Sequence, residues 1–231
     1  MEQNNSMTIK ARERNHARHS ELGRSILETL AVVSIAAILT SVTLPQIISA
    51  RRLMRSAALP RQIMTQLRFA RQQAISQRQV FTFQYDDSTK QIKIIDHNNS
   101  NNANPSCNVT GLQILADAGY PDTACATTVL QMPLGDGSLP TSELNFGIPA
   151  GIIVTSLADN STPTSLVSNK INVTFQKDGT VVDVNGNPAN YTLFFYNNRV
   201  PNQTAAAISV LGTAGRIKVW RYDTSAQKYA E

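Results

Sequence analysis

The longest uncharged stretch of this chain constrains its fold more than any other feature of the sequence. Between Glu28 and Arg51 lie 22 consecutive residues without a charge, and most of them are apolar. A helix of that length spans about 33 Å, and the hydrocarbon core of a bilayer is about 30 Å thick. The sequence therefore predicts a membrane-spanning helix over residues 24–50, with the Glu28 carboxylate near its N-terminal end. Pro45 predicts a kink or a short unwound stretch within it.

The helix is predicted to continue through residues 51–78 as an amphipathic segment. Good helix formers are frequent there, and apolar residues recur at spacings of three and four: Ile63, Leu67, Ala70 and Ala74, with Met64 and Ile75 beside them. The segment holds seven arginines and no acidic residue. We interpret the arginines as a solvated helix face, and contact with anionic lipid headgroups or nucleic acid as the alternative. Pro60 again predicts a kink or an unwound stretch.

Residues 79–231 are predicted to form a β-rich domain with an Asn-rich insert at 96–126. The stretch QVFTFQY alternates, with Phe81, Phe83 and Tyr85 on one face, as expected of a strand. Turn residues separate further strand candidates at 91–95, 127–132, 143–148, 151–156, 170–176, 180–184, 190–196, 206–211 and 216–222. Short strands at this spacing predict an antiparallel sandwich or a pair of packed sheets. The predicted fold class is therefore α+β, with the long N-terminal helix packed on a β-sandwich-like domain.

The chain has two cysteines, Cys107 and Cys125, with 17 residues between them in the polar half. If that half lies outside the cytoplasm, a disulfide is the natural interpretation, worth about 3 kcal/mol by loop entropy. Two cysteines do not complete a tetrahedral metal shell. The nearby histidine, His97, lies ten residues from Cys107, which is not a zinc-finger spacing. We therefore predict no metal site.

Catalytic motifs are missing from the sequence. It contains no Gly-x-Ser-x-Gly, no phosphate-cradling glycine loop and no His-Glu-x-x-His. Only one histidine, His97, follows the first 23 residues, which weakens any Ser-His or Cys-His arrangement. We predict that the protein is not an enzyme and uses no cofactor.

Residues 1–23 are polar and basic and are predicted to be a targeting leader. The apolar run after them is too long for an ordinary secretory signal, and arginines follow it directly. Arginine clusters usually stay on the cytoplasmic side of a span. Because the basic leader and the arginines of residues 51–78 compete in this respect, charge alone does not determine the orientation.

Gly23, four further residues, Glu28, an unbroken apolar run and Pro45 form a compound pattern. It resembles the N-terminus of type IV prepilins and type II secretion prepseudopilins. Within that group, LRFARQQAISQRQVFTF (67–83), INVTFQKDGTV (171–181) and GRIKVWR (215–221) are similar to the GspH/FimT branch. The Asn-rich insert has no counterpart in the resemblance.

The resemblance implies that a prepilin peptidase cuts after Gly23 on the cytoplasmic face and leaves Arg24 as the new N-terminus. Most relatives have phenylalanine at that position, and its amine is methylated. In the family, the residue equivalent to Glu28 pairs with the N-terminal amine of a neighbouring subunit. The apolar run would then anchor the chain in the bacterial inner membrane as a single pass, with the C-terminal domain periplasmic. After assembly the same run would form the filament core.

The function that the resemblance implies is that of a minor pseudopilin. Such a subunit sits at or near the tip of a type II secretion pseudopilus or a type IV pilus, a periplasmic or surface filament. Its partners would be other pilins or pseudopilins and an exported protein. A membrane-anchored periplasmic monomer that never polymerises is a further alternative.

A second functional alternative rests on the late basic motif Gly215-Arg216-Ile217-Lys218. In a strand, Arg216 and Lys218 project from one face, and we expect Arg221 and Trp220 close by. Some members of the branch bind incoming DNA through a Gly-Arg-x-Arg motif here, and this chain has lysine in the last place, which lacks the bidentate fork. The opposing interpretation is an exposed strand whose cations prevent edge pairing.

Overall fold

The computed structural model describes residues 26–97, 126–135, 139–183 and 186–231. Within them the chain forms a long helix, α1 (Ile26–Gln77), a one-turn helix, α2 (Pro201–Thr204), a 3-10 turn (Thr141–Glu143) and ten strands. The strands are β1 (Phe81–Asp86), β2 (Gln91–Asp96), β3 (Thr127–Pro133), β4 (Leu144–Phe146), β5 (Lys170–Phe175), β6 (Val181–Val182), β7 (Tyr191–Asn197), β8 (Ala206–Leu211), β9 (Arg216–Asp223) and β10 (Lys228–Ala230). The predicted α+β class, a long N-terminal apolar helix with antiparallel sheets, is confirmed.

The chain divides into two compact units, Met1–Ala50 and Arg51–Glu231. Helix α1 contributes residues to both units and is continuous over 52 residues. The unwound stretches predicted at Pro45 and Pro60 are absent from it. A proline removes one helical hydrogen bond and leaves the others in place. Around Pro60, burial of Leu59 and Ile63 keeps the helix packed on either side of the missing bond.

The ten strands form two five-stranded sheets in which all neighbours are antiparallel. The first sheet has the order β3-β2-β1-β5-β6, and the second has the order β10-β9-β8-β7-β4. In the first, Phe83 of the central strand lies opposite Ile94 and Val173. In the second, Ile208 lies opposite Leu193 and Val219. Both sheets therefore present β-branched and aromatic cross-strand neighbours, the pairs that stabilise antiparallel sheets most.

One hydrophobic core joins the second half of α1 to both sheets. The helix contributes the buried face predicted from its periodicity, and the sheets contribute Phe81, Phe83 and Tyr85 of β1 together with apolar residues of β2, β5, β7 and β8. The predicted inward face of β1 is thus confirmed. A smaller cluster lies on the other face of the second sheet, formed by Ile152, Leu157, Phe194, Ala205, Ala207, Trp220 and Tyr229.

One predicted strand is absent from the structure, and one observed strand was not predicted. Residues 151–156 form no strand, although their β-branched residues suggested one. Gly151 has a positive φ of 88°, and Ile152 is in the smaller cluster while Ile153 is 93% exposed. The segment covers the sheet with single side chains and has no strand beside it in the described chain. Conversely, β10 was missed because a strand of three residues is too short for its alternation to be recognised in the sequence.

Arg71 ties the helix to both sheets. Its Nε donates to the carbonyl of Gly179 at 3.2 Å, and its Nη2 donates to the carbonyl of Ala214 at 3.0 Å. Gly179 lies in the β5–β6 turn of the first sheet, and Ala214 lies in the β8–β9 turn of the second. We call these contacts the Arg71 clamp. The amide of Val181 in β6 also donates to the carbonyl of Gly212 at 2.9 Å, which joins the first sheet directly to the β8–β9 turn.

The glycine of the basic motif has a structural purpose in this clamp. Gly215 has a positive φ of 56°, and a Cβ atom there would overlap the carbonyl oxygen of Gly179 and the side chain of Arg71. The close approach of the two turns therefore requires glycine at position 215.

We expect Gly215→Ala to lower the free energy of unfolding by at least about 2 kcal/mol, because the new Cβ must displace backbone atoms of the neighbouring turn. Gly151→Ala is the matched control, since φ is also positive there but no atom lies within 4 Å of its Cβ position. It should lose only about 1 kcal/mol, the conformational cost. Urea unfolding of the full chain in detergent micelles, followed by the fluorescence of its single tryptophan, measures both. Equal losses in the two variants would contradict the steric explanation.

Candidate functional site

Several of the predicted site residues lie outside the described residues. These are Gly23 and Arg24 at the predicted cleavage site and both cysteines, Cys107 and Cys125. Cleavage and the disulfide therefore remain predictions. The structure describes Glu28, Pro45 and the basic residues of β9.

The first half of α1 exposes its apolar side chains on all sides. Every large apolar side chain in residues 26–50 is between 48% and 82% exposed. The helix has a mean hydropathy of 2.0 over its most apolar 18 residues, and by length and composition it is able to cross a membrane. An apolar surface this large marks a site of contact with a membrane or another protein. The apolar half of α1, residues 26–50, is thus the first candidate site.

Glu28 is the one charged residue in the apolar half of α1. All six hydroxyl side chains of that half donate to carbonyls of their own helix: Thr29, Ser34, Thr40, Ser41, Thr43 and Ser49. The carboxylate lies in the first turn, where the positive end of the helix dipole favours a negative charge. No hydrogen-bond or ion-pair partner for it lies in the described part of the chain. Glu28 is therefore available to a cation of another molecule.

The basic residues of β9 form the second candidate site, and the structure brings only two of them together. Arg216 and Lys218 share a face with Trp220, as predicted from strand alternation. Arg221 projects from the opposite face. There it lines a cavity of about 60 Å³ together with Leu53 and Ala57 of α1 and with Gln203, Thr204, Ala205 and Ala206.

The ammonium group of Lys218 is already engaged within the chain. Its Nζ lies 2.6 Å from Oε2 of Glu231 and 5.0 Å from the centroid of the Trp220 ring. Asp159 is a second acidic neighbour. Burial raises the pKa of that carboxyl, but hydrogen bonds from Ser161 and Ser209 and the charge of Lys218 outweigh burial and hold the pKa below its ordinary value. Lys218 therefore adds little positive charge to the surface.

Trp220 is not placed to stack on a base. The side chain is 4% exposed and belongs to the smaller hydrophobic cluster. Its Nε1 donates to Oγ of Ser209 at 2.9 Å, and that hydroxyl donates to Oδ2 of Asp159 at 2.6 Å. Stacking on a nucleobase needs an accessible ring face. Of the predicted nucleic-acid contacts on this face, only Arg216 remains exposed.

The arginines of residues 51–78 divide into two groups. Arg51, Arg55, Arg61, Arg68 and Arg78 are exposed, which agrees with a solvated helix face. Arg71 is used in the clamp. Arg52 pairs with Glu143, with 3.3 Å between its Nε and Oε1 of the carboxylate.

Glu143 belongs to a buried polar network that sequence reasoning missed. Nδ2 of Asn197 donates to Oε2 of Glu143 at 3.1 Å and to Oγ of Ser56 at 3.2 Å. All three residues are buried. The network joins α1, the 3-10 turn and β7, which are far apart in sequence, so no local pattern marked it. Polar networks of this kind help to specify one packing arrangement.

His97 is buried as a neutral imidazole. It is 2% exposed, and its Nε2 lies 2.7 Å from Oγ1 of Thr82, which in turn lies 2.6 Å from Oγ1 of Thr174. Burial lowers the pKa of the imidazole to about 3. No group of three or more metal-ligating side chains occurs among the described residues.

Comparisons with known proteins add a distant structural likeness. No protein-family model matches the chain, and no curated protein matches it. Two crystal structures of the type IV minor pilin FimU from Pseudomonas aeruginosa (strain PAO1) are similar to it. The form in space group P21 has 16% identity and a TM-score of 0.41, over 80% of this chain and 97% of that chain. The form in space group P65 has 16% identity and a TM-score of 0.40, over 75% and 96%. Function is therefore inferred from the residues of this chain.

We expect the His97 imidazole to make the fold sensitive to acid. Its pKa is about 3 in the folded state and about 6.5 in an unfolded chain. The stabilisation is therefore complete above pH 6.5 and is lost as the pH falls toward 3, because only the unfolded state takes up the proton. Between pH 7 and pH 4.5 the loss should be roughly 2–3 kcal/mol.

Urea unfolding of the wild type and of His97→Gln at both pH values isolates this contribution from that of the carboxylates. The variant should lose less stability on acidification than the wild type by roughly the amount above. Parallel losses in the two proteins would show that His97 is not responsible.

Proposed function

We propose that this chain is a structural subunit of a pilus- or pseudopilus-type filament and assembles through the apolar half of α1. The observation that carries the proposal is the exposed apolar surface of residues 26–50 with one carboxylate, Glu28, in its first turn. The second half of the same helix is buried in a folded domain. One half thus has its partners within the chain, and the other half needs partners elsewhere.

A bilayer and a bundle of like helices are both suitable surroundings for the apolar half. Before assembly, a single span of this length is accommodated by a membrane. In a bundle, the small residues Ala31, Ser34, Ala36 and Ala37 allow helices to approach closely. We propose that the chain is first anchored in the bacterial inner membrane, with its β-rich domain periplasmic, and then moves into a filament core.

Glu28 would make the move from the membrane into the filament depend on one specific ion pair. A carboxylate within a membrane costs a few kcal/mol unless it is paired. Removal of residues 1–23 by a prepilin peptidase, with cleavage between Gly23 and Arg24, would create an α-amine near the same level of a neighbouring helix. An ion pair between that amine and Glu28 would favour the assembled state over the anchored one.

Within this class, we propose the role of a minor subunit that joins other pilins or pseudopilins near the filament tip and contacts an exported protein. We propose a Cys107–Cys125 disulfide in the periplasmic domain. The DNA-receptor alternative has less support, because Lys218 is paired with Glu231 and Trp220 is buried. A structural role rather than catalysis fits a chain whose buried polar groups serve packing.

Glu28→Leu should be processed normally and should enter filaments at least about tenfold less than the wild type, since an interaction of a few kcal/mol is lost. The assay is the fraction of the chain found in sheared filaments from cells that supply a prepilin peptidase and the other subunits. Mass spectrometry of the mature N-terminus verifies cleavage before Arg24 in both proteins. Val33→Leu, in the same exposed half, leaves the carboxylate and the small residues unchanged, so it is the control and should assemble normally. Wild-type incorporation of Glu28→Leu would refute the proposed ion pair.

We expect Arg216 and Lys218 to contribute nothing measurable to any binding of double-stranded DNA by the full chain in detergent micelles, so the wild type and an Arg216→Ala/Lys218→Ala double variant should behave alike. Electrostatic DNA binding needs several phosphate contacts, and the β9 face offers only one exposed cation, Arg216, among its described residues. Electrophoretic mobility shifts at about 50 mM and 200 mM salt measure this. A shift at low salt that disappears in an Arg216→Ala/Lys218→Ala double variant would assign the DNA-receptor role instead.

A further inference from the structure

The second sheet has an open stretch of edge along β9. This strand has eight residues, whereas its outer neighbour β10 has three. The pairing of β10 with β9 covers only Arg221, Tyr222 and Asp223. Residues 216–220 therefore have β8 on one side and no strand of the described chain on the other.

The hydrogen-bond pattern shows which backbone groups point outward from this edge. The amide of Tyr222 donates to the carbonyl of Ala205 at 3.0 Å, so Tyr222 bonds toward β8. Antiparallel pairing alternates in direction with each residue. Ile217 and Val219 therefore direct their N–H and C=O groups away from β8, and no described residue hydrogen bonds to them there. We call these four groups the β9 edge.

Of the features with which proteins usually prevent strand addition, residues 216–220 have only one exposed cation, Arg216. Proline, bulges and projecting lysines are the common ones. Residues 216–220 contain no proline, and the β8–β9 register runs without a shift. The charge of Lys218 is held over Trp220 by Glu231 instead of projecting past the edge.

The side chains around the β9 edge define what an added strand should carry. Ile217 and Val219 are partly buried and pack against the main core. Side chains of an added strand that lie opposite them would extend this apolar face, because cross-strand neighbours share a face of the sheet. The residue opposite Arg216 would lie beside the exposed cation of this face and should be acidic.

We propose that the β9 edge receives an extended segment of a partner protein in which apolar and acidic residues alternate. The segment would lie in line with β10 and would complete the backbone ladder at Ile217 and Val219, as in other strand-addition complexes. A second copy of β9 fits less well, because antiparallel self-pairing centred on Lys218 places two lysines opposite each other. The inference is independent of filament formation.

The test measures amide hydrogen exchange at residues 216–220 of the full chain in detergent micelles. The probe is an acetylated and amidated heptapeptide that alternates Glu and Val, added at 1 mM. Exchange at Ile217 and Val219 should slow about tenfold, which corresponds to a Kd of about 0.1 mM. A peptide with the same sequence but with N-methylated valines keeps the charges and loses the donors that face the edge, so it should have no effect.

Charge reversal tests the predicted specificity without changing a buried residue. Arg216 is exposed and has no ion-pair partner among the described residues, so Arg216→Glu should retain the fold. This variant should bind the Glu-Val peptide at least about tenfold more weakly and should prefer the corresponding Lys-Val peptide.

Val219→Pro, which removes one outward N–H, should abolish the protection at Ile217 if its tryptophan fluorescence shows that the fold is kept.

Three outcomes would overturn the proposal. Exchange that stays unchanged at 1 mM Glu-Val peptide would show that the edge does not accept this segment. Equal protection by the N-methylated peptide would show binding that does not use the backbone ladder. Protection that increases with protein concentration in the absence of peptide would assign the edge to a second copy of this chain.

Discussion

The structure depends on one face of α1 that is buried against two sheets at once. Leu59, Ile63 and Leu67 place the helix in a core to which both sheets contribute. Without the helix the inward faces of the sheets would expose their aromatic residues to water, at a cost of roughly 25 cal/mol per Å² of apolar surface. Hydrophobic burial alone does not set the orientation of the helix on the sheets. The Arg71 clamp does, because its two hydrogen bonds reach a turn of each sheet.

The two halves of α1 differ in what surrounds them rather than in secondary structure. Beyond Arg51 the helix has one apolar face, which the sheets cover. Before it, apolar side chains occur on every face, and the described chain buries none of them. A helix of the second kind needs lipid or other helices around it, and a lone carboxylate such as Glu28 adds the need for a cation. These two requirements together lead to the filament proposal.

The sequence makes residues 215–221 a candidate for binding nucleic acid, but in the structure most of them have roles within the fold. Gly215 serves the approach of two turns, Lys218 serves an internal ion pair, and Trp220 fills a small hydrophobic cluster. In the described chain, β10 pairs only with Arg221, Tyr222 and Asp223 of β9, so the backbone of residues 216–220 has no strand beside it on that side. A charged group, an aromatic ring or a backbone amide can bind a partner only if no contact within the chain already occupies it.

The sequence by itself determined the long helix, its two kinds of surface, the α+β class and most strands, because these follow from local periodicity in runs of six or more residues. It also placed Glu28 at the start of the apolar run. Only the tertiary structure decided that Arg71 is a clamp, that Glu143 and Asn197 form a buried network, and that Arg221 lies apart from Arg216. These facts depend on contacts between residues far apart in the chain, whose partners no local pattern identifies. The physical reason is that periodicity reports which face of an element is apolar, whereas the pairing of polar groups is settled only when the elements meet.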